Sequence, residues 1–302
     1  MKNIFIFGHK NPDTDTICSA LAYEIVKKQL GMNAQAARLG KINDETQYVL
    51  DYLELDAPQL IENVASEQVI LVDHNEFGQS CDGIEEANIL EVIDHHRIAN
   101  FKTNDPLYMN VQPVGCTATI IFEIIKSNNL NIDKTLATLL ISAIISDTLL
   151  FKSPTCTQKD IDTAEQLAKL VDFNVQEYGL EMLKAGTNLN KFSANELLNI
   201  DAKEFNTDNG LFKVAQVNTV DIEEFKTVFL KNIKEEISSD IVTNSLDMFV
   251  LLVTDIVNSN SLAIVLGSKS DVFSSNFNVE LIDDMTMLEG VVSRKKQIVP
   301  FL

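Results

Sequence analysis

Three short apolar runs in the first hundred residues are each followed at once by histidine and aspartate side chains. These segments are Ile4-Phe5-Ile6-Phe7 before Gly8-His9-Lys10-Asn11-Pro12-Asp13-Thr14-Asp15, Val69-Ile70-Leu71-Val72 before Asp73-His74-Asn75, and Ile89-Leu90-Glu91-Val92-Ile93 before Asp94-His95-His96. Apolar runs of this length suit buried strands, and a glycine and an Asn-Pro pair allow the first strand to break into a turn. All four histidines of the chain lie at these three strand ends.

The first motif has two interpretations when it is considered alone. Asp13 and Asp15 precede a helical apolar pattern, so they are also suitable N-capping residues. The same pattern, an apolar run followed by histidine and aspartate, recurs at three strand ends, and this recurrence favours a metal site. A further carboxylate, Asp147, follows the apolar stretch 139–145 and extends the set.

The alternation of strand and helix patterns through residue 96 predicts a parallel sheet built from crossover units. We expect the first helix at 16–30, closed by Gly31, and a second helix capped by Asn43 or Asp44. Ligands of such sheets bind at the carboxyl ends of the strands. The three motifs should therefore converge at one edge of the sheet.

Length and pattern predict two α/β domains, because 302 residues exceed the usual size of one domain. A small, polar segment at 185–190 suggests a hinge. We expect a metal-binding domain at 1–186, a linker at 187–195 and a smaller domain at 196–302. The expected elements after the third motif are helices at 116–126, 133–146, 158–170, 175–184, 194–198 and 221–237, and strands at 212–217, 248–253 and 262–266.

Composition excludes several classes of function. Forty-four acidic and 24 basic side chains give a net charge of −20, which argues against non-specific binding of nucleic acid. No apolar run reaches the ~18 residues that span a bilayer, and no export signal is recognisable, so we expect a soluble protein without a membrane partner. The four cysteines form no CxxC pair. Free thiols in a reducing cytoplasm are the expectation.

The chemistry of the motifs is that of a divalent metal site. The candidate ligands are His9, Asp13, Asp15, Asp73, His95 and Asp147. Nitrogen and oxygen ligands without thiolate suit Mn²⁺, Co²⁺ or Mg²⁺ and admit Zn²⁺. Four carboxylates balance two divalent cations, and paired cations stabilise phosphoryl transfer.

Further side chains near the motifs and in the C-terminal basic run have both a structural and a functional interpretation. Asp94 and His74 are better placed to hydrogen bond near the ligands than to bind metal themselves. His96 is either a proton donor to a leaving phosphate or a structural histidine. The basic run 294–296 is either a solvated surface or a set of cations for phosphate, and the metal cluster favours the second.

Taken together, the motifs resemble those of the manganese-dependent inorganic pyrophosphatases, the family II enzymes of the DHH superfamily. The matching segments are Gly8-His9-Lys10-Asn11-Pro12-Asp13-Thr14-Asp15, Val72-Asp73-His74-Asn75, Asp94-His95-His96, Ser146-Asp147-Thr148 and Ser293-Arg294-Lys295-Lys296-Gln297. They span nearly the whole chain, and their order and combination carry the specificity.

The resemblance implies hydrolysis of pyrophosphate to two phosphates by a water or hydroxide that bridges two Mn²⁺ or Co²⁺ ions in each subunit. It implies that His9, Asp13 and Asp73 bind one ion. It implies that Asp15, Asp73, His95 and Asp147 bind the other, so that Asp73 bridges the two. The groups that it places around the substrate phosphates are His96, Lys203, Arg294 and Lys295.

The role of Lys203 rests on the resemblance alone, since residues 200–205 otherwise suggest a helix end. The resemblance also implies a two-domain fold with the active site in the cleft and a homodimer joined through the N-terminal domains. Mg²⁺ is expected to accompany the substrate, and we expect the smaller domain to close over it.

Two rival functions remain open at this stage. Another DHH phosphodiesterase, acting on short oligonucleotides or cyclic dinucleotides, would share the metal site. Such enzymes resemble one another in a glycine-rich, histidine-containing C-terminal motif, whereas this chain has no histidine after His96 and no Gly-Gly pair. A catalytically silent metal-binding protein would be expected to lack at least one ligand, and none is missing.

Overall fold

The computed structural model of the protein describes residues 3–302 and contains two compact units. The first unit ends at Gly186 and the second begins at Thr187. No helix within the described residues is long and apolar enough to cross a membrane. The four cysteines are unpaired, and three of them are buried.

The first unit alternates strands and helices as far as its third motif and is helical afterwards. Its elements are β1 (Ile4–Phe7), α1 (Thr14–Gln29), β2 (Ala34–Arg38), α2 (Asp44–Tyr52), β3 (Gln59–Leu60), β4 (Gln68–Val72), β5 (Asn88–Asp94), β6 (Tyr108–Val111), α3 (Thr117–Ser127), α4 (Lys134–Thr148), α5 (Gln158–Val171) and α6 (Val175–Gly186). Each of the predicted strands and helices in this region is present, with ends shifted by a few residues.

The six strands of the first unit form one parallel sheet in the order β3-β2-β1-β4-β5-β6. The predicted parallel sheet is therefore confirmed. Strands β1, β4 and β5, which precede the three motifs, are direct neighbours in the centre of this order. The chain reverses its direction of winding between β1 and β4, and open α/β sheets bind ligands at such a switch point.

Helices α1 and α4 bring two more motif segments to this edge. Helix α1 begins two residues earlier than predicted, with Asp13 as its N-cap, and the Asp13 side chain accepts from the Thr16 amide. Helix α4 is buried along nearly its whole length, from Leu136 to Ile145. A helix that is apolar all round is stable only inside a core, and this burial fixes the position of its last turn, which contains Asp147.

The second unit is built on a smaller mixed sheet. Its elements are α7 (Ala194–Asn199), β7 (Ala202–Thr207), β8 (Gly210–Thr219), α8 (Ile222–Val228), α9 (Leu230–Asn244), β9 (Met248–Asp255), β10 (Asn260–Leu266), α10 (Ser270–Phe277) and β11 (Met285–Glu289). The sheet order is β11-β10-β9-β8-β7, in which only β8 and β9 run parallel. Apolar clusters pack on both faces of this sheet.

Two predictions for the second unit were wrong in detail. The helix expected at 221–237 is divided at Phe229, whose φ of −110° departs from helical values. Phe229 packs against the core cluster there, and α9 continues past the predicted end to Asn244. Lys203 lies in strand β7 and not at a helix end. Its segment is stabilised as a strand by antiparallel pairing with β8.

Helices α3 and α5 are joined through one buried carboxylate, that of Asp160. Its Oδ2 accepts hydrogen bonds from the Gly115 amide and from the amide and hydroxyl of Thr157, and its Oδ1 accepts from the Thr119 hydroxyl. The contact with Thr157 is part of a capping box at the start of α5. The contact with Gly115 fixes the segment that enters α3.

We predict that Asp160→Ala lowers the free energy of unfolding by about 3 kcal/mol, because it leaves several buried donors without an acceptor. Urea denaturation followed by circular dichroism measures the change. Asp162→Ala, an exposed position in the same helix, is the matched control and should change stability by less than about 0.5 kcal/mol. Equal stability of the two variants would contradict this account of Asp160.

Candidate metal centre

The strand ends and helix ends of the first unit bring six potential metal ligands together. His9, Asp13 and Asp73 each offer an atom within 4.8 Å of the others, and so do Asp15, Asp73, His95 and Asp147. The six residues are those singled out from the sequence, and the two groups share Asp73. This arrangement could hold two neighbouring cations, with the Asp73 carboxylate shared between them.

The two carboxylate oxygens of Asp73 face different histidines. Asp73 Oδ2 lies 3.4 Å from His9 Nε2, and Asp73 Oδ1 lies 3.3 Å from His95 Nε2. The side chain is almost completely buried, at 1% exposure. Its backbone has a φ of +57°, a left-handed conformation that aspartate adopts more readily than most residues. The turn at the end of β4 therefore directs one oxygen toward each group.

His95 has the geometry of a metal ligand. Its Nδ1 lies 3.1 Å from the Val114 carbonyl and donates to it, which leaves the lone pair on Nε2. Within the described chain this buried Nε2 makes no hydrogen bond. It lies 3.3 Å from both Asp73 Oδ1 and Asp147 Oδ2. An unpartnered nitrogen facing carboxylates fits a divalent cation between them.

The electrostatics of the carboxylates point in the same direction. Burial raises the pKa of Asp73 well above its ordinary value, and the charges of Asp15 and Asp13 raise it further. The pKa of Asp147 is also raised, first by burial and then by Asp15 and Asp73. These groups repel one another when ionised. Cations are the partners that would allow all of them to be charged.

His9 and Asp13 form the more exposed side of the cluster. His9 Nε2 lies 3.3 Å from Asp13 Oδ2. Burial would lower the pKa of His9, but the hydrogen bond to Asp13 and the nearby charges outweigh it, and the pKa is raised. Asp13 is at once a helix cap and a member of the cluster, so the two interpretations of the first motif do not exclude each other.

His96 is held by the carboxylate of Asp94, the last residue of β5. His96 Nδ1 lies 3.0 Å from Asp94 Oδ1, which also accepts from the backbone amides of His95 and His96. This hydrogen bond raises the pKa of His96 although burial opposes it. The side chain remains 52% exposed. Asp94 therefore orients His96 and leaves its Nε2 for another partner.

His74 does not belong to either group of potential ligands. Its two ring nitrogens lie 3.0 Å from the Val72 carbonyl and from the Ser80 hydroxyl. Burial lowers its pKa to about 4, so the ring is neutral at pH 7. These contacts support the structural interpretation of His74.

Four hydroxyl and amide donors that the sequence analysis did not single out hold the carboxylates in place. The Thr16 hydroxyl donates to Asp73 Oδ2 at 2.7 Å. The Thr117 amide donates to Asp15 Oδ2 at 2.8 Å, and the Ser19 hydroxyl donates to Asp15 Oδ1. The Thr117 hydroxyl lies 3.4 Å from Asp73 Oδ1. Thr117 follows no motif, so only the folded contact of α1 with α3 identifies it.

The predicted substrate cations lie in the second unit. Arg294 begins a short π-helical turn at Arg294–Ile298 and is buried. Its Nη1 donates to the carbonyls of Asp201 and Val214, and its Nη2 donates to Asp201 Oδ1 at 2.7 Å. Lys203 pairs with Val214 in the β7–β8 register. The fold therefore brings Lys203 and Arg294 to the same position of the sheet, while Lys295 is exposed.

Comparison with known proteins defines the class. The model of the DHH family, N-terminal domain, matches residues 3–144, and that of the DHHA2 domain matches residues 180–302. The fold is thus that of a two-domain DHH protein. A manganese-dependent inorganic pyrophosphatase of Bacillus subtilis (strain 168) is 52% identical over 304 aligned residues, covering 100% of this chain and 98% of that protein. The chain belongs to the family of manganese-dependent inorganic pyrophosphatases.

Solved structures agree with this placement. A Methanococcus jannaschii protein described as a "putative family II inorganic pyrophosphatase" is 37% identical, with a TM-score of 0.64, and the match covers 99% of this chain and 97% of that one. An exopolyphosphatase-related protein from Bacteroides fragilis is 14% identical, with a TM-score of 0.51 over 98% of this chain and 88% of its own. The second likeness concerns the fold alone.

We predict that Asp73→Ala removes more bound Mn²⁺ than Asp13→Ala, because Asp73 belongs to both ligand groups and Asp13 to one. Elemental analysis of the purified, desalted variants after loading with Mn²⁺ measures the difference. Asp82→Ala, at an exposed position, should retain the wild-type content. An Asp73→Ala protein that still holds as much Mn²⁺ as Asp13→Ala would show that Asp73 is not shared.

Proposed function

We propose that this protein hydrolyses inorganic pyrophosphate to two phosphates. The observation that carries the proposal is the pair of histidine and aspartate groups that share Asp73. The relative from Bacillus subtilis, which matches this chain over its full length, is named a pyrophosphatase, and this name indicates pyrophosphate as the substrate. Relatives of this kind do not favour the alternative, a phosphodiesterase for short oligonucleotides or cyclic dinucleotides, and a net charge of −20 gives such a polyanion no general attraction.

The residues present fit two Mn²⁺ or Co²⁺ ions in each subunit. His9, Asp13 and Asp73 would hold one ion, and Asp15, Asp73, His95 and Asp147 would hold the other. When bound, such a pair of ions draws phosphate oxygens together and lowers the pKa of water so that it can attack phosphorus. The protein contributes the fixed separation of the two groups, which is set by the oxygens of Asp73.

His96 is the proposed proton donor to the leaving phosphate. Asp94 holds its Nδ1 and raises its pKa, so the ring keeps a proton to a higher pH than a free histidine. Its half-exposed side chain is accessible to a substrate. The matching motifs supply metal ligands and cations, and the proposed attacking group is water or hydroxide, so hydrolysis proceeds without a covalent enzyme intermediate.

Lys203, Arg294 and Lys295 are the proposed phosphate-binding cations of the second unit. A small polyanion approaching a protein of net charge −20 needs cations close by. The metal groups precede Gly186 and these cations follow it, so complete coordination of pyrophosphate requires both units. We propose that segment 185–190 bends to bring them together and opens to release phosphate.

Several finer features of the family accompany this proposal. Mg²⁺ enters with the substrate, the subunits form a homodimer through their N-terminal units, and the enzyme works in the cytoplasm. The support for the first two is the family resemblance. Four unpaired cysteines support the third, because disulfides are rare in a reducing compartment.

Phosphate release from pyrophosphate tests the function directly. Purified protein, stripped of metal and reloaded with Mn²⁺ or Co²⁺, is assayed with pyrophosphate and Mg²⁺, and in parallel with a linear dinucleotide and a cyclic dinucleotide. Rapid release from pyrophosphate alone is the expected result. Faster cleavage of a phosphodiester, or a phosphorylated side chain trapped during turnover, would contradict the proposal.

We predict that His96→Gln lowers kcat by about 10² to 10⁴, the usual contribution of a general acid, while the bound Mn²⁺ stays at the wild-type content. Glutamine keeps a polar side chain but carries no transferable proton. Stopped assays at saturating pyrophosphate and elemental analysis give the two quantities. Unchanged turnover with an unchanged pH profile would make His96 a structural histidine.

We predict that Lys295→Ala raises the KM for pyrophosphate by about 10-fold to 100-fold, because a charge-assisted hydrogen bond to phosphate is lost. Lys296→Ala, the exposed neighbour, is the matched control and should change KM little.

Solution scattering with a non-hydrolysable pyrophosphate analogue should show compaction of the wild type. Wild-type KM in the Lys295 variant together with no compaction would mean that the basic run is only surface.

A further inference from the structure

Glu45, in the first turn of α2, makes a contact that the proposed reaction does not explain. Its Oε1 accepts a hydrogen bond from the Thr14 hydroxyl at 2.6 Å and another from the Ser146 hydroxyl at 2.5 Å. The Thr14 hydroxyl also lies 3.1 Å from that of Thr46, which donates to it. One carboxylate oxygen on α2 thus joins the start of α1 to the end of α4.

The two hydroxyls belong to residues that adjoin the proposed metal ligands. Thr14 lies between Asp13 and Asp15 at the start of α1, and Ser146 directly precedes Asp147 in the last turn of α4. Glu45 itself is in neither ligand group. It therefore acts on ligand-bearing backbone and does not replace a ligand.

The end of α4 needs such an anchor. Asp147 lies where the negative end of the helix dipole disfavours a carboxylate, whereas Asp15 lies near the favourable start of α1. Beyond Asp147 the backbone has positive φ at three residues in succession, 149–151, a conformation that costs non-glycine residues energy. A hydrogen bond at Ser146 holds this last turn toward α1.

The last turn of α6 touches Glu45 from the other side. A Cβ added at Gly186 would lie 2.9 Å from Glu45 Cβ and 3.1 Å from Glu45 Oε2. Only glycine fits at this distance. A side chain at position 186 would therefore displace either the last turn of α6 or Glu45. Gly186 is also the last residue of the first unit.

We propose that Glu45 is a positioning residue that sets the Mn²⁺ affinity of the centre, by fixing the distance between the helix ends that carry Asp13, Asp15 and Asp147. The proposal rests on the proposed metal centre but not on the identity of the substrate. A carboxylate suits the task because one of its oxygens accepts two charge-assisted hydrogen bonds. Contact with Gly186 makes this spacing sensitive to the last turn of α6.

The test is calorimetric titration of metal-free protein with Mn²⁺. We expect Glu45→Ala to weaken Mn²⁺ binding about tenfold, at the lower end of the range for groups that hold metal ligands in place. Glu45→Gln, which retains an acceptor at Oε1, should lie between Glu45→Ala and the wild type. Asp51→Ala, exposed in the same helix, should bind like the wild type.

Two variants reach the same contact without altering Glu45. Ser146→Ala removes one of its two hydrogen bonds and should weaken Mn²⁺ binding by a smaller factor than Glu45→Ala. Gly186→Ala should displace Glu45 and weaken binding in the same direction. Ser146→Ala removes only a hydroxyl, so it keeps the test decisive if Glu45→Ala does not fold.

The outcomes distinguish the positioning role of Glu45 from the proposed hydrolysis of pyrophosphate. Wild-type Mn²⁺ affinity in folded Glu45→Ala, or in Ser146→Ala if Glu45→Ala does not fold, would overturn the positioning role even if pyrophosphate is hydrolysed. Weakened binding in these variants supports it even if the wild type fails to cleave pyrophosphate, a result that would overturn the proposed function alone. If high Mn²⁺ restores the rate of pyrophosphate hydrolysis of Glu45→Ala toward that of the wild type, Glu45 acts through metal binding and does not touch the substrate.

Discussion

Repulsion among buried carboxylates is the constraint on which the first unit depends. Two ionised carboxylates about 4 Å apart repel by roughly 4 kcal/mol in a medium of effective dielectric constant 20. Four aspartates lie in the two overlapping groups around Asp73. Burial raises the pKa of Asp73 and of Asp147, and repulsion from Asp15 raises both pKa values further. Divalent cations remove this cost and leave the carboxylates charged, whereas protonation would neutralise the carboxylates and remove the charge that binds the cations. The protein therefore maintains a site that is complete only with its ions.

The fold meets this constraint by distributing the four carboxylates over three element ends, with Asp13 and Asp15 both at the start of α1. Asp73 follows a central strand, Asp15 lies in the first turn of α1, and Asp147 lies in the last turn of α4. Donors from α1 and α3 then fix the oxygens, as the Thr117 amide does at Asp15. Rigid elements hold such a geometry better than loops, because their own packing fixes the backbone. The extensive burial of α4 serves this purpose.

Much of this arrangement could be predicted from the sequence, because parallel strands collect their carboxyl ends at one edge. The grouping of His9, Asp73 and His95 follows from that rule alone. Other features lacked a local signal. Positive φ at 149–151 occurs in Leu-Leu-Phe, without the glycine or asparagine that usually marks it. The strand at Lys203 depends on its pairing with β8, and the division at Phe229 depends on packing against the core. These are tertiary effects that override local pattern.

The pairing of Arg294 shows how a strongly acidic protein fixes the orientation of a buried guanidinium. Three hydrogen bonds to Asp201 and Val214 occupy part of a guanidinium that has five N–H donors. They fix its plane, so the phosphate binding proposed for this side chain would cost less conformational entropy. Lys295 is exposed, and in the proposed site it would contribute charge more than direction. Adjacent residues of one basic run thus differ in how firmly they are held, because only Arg294 is buried and hydrogen bonded to Val214 in β8 and to Asp201.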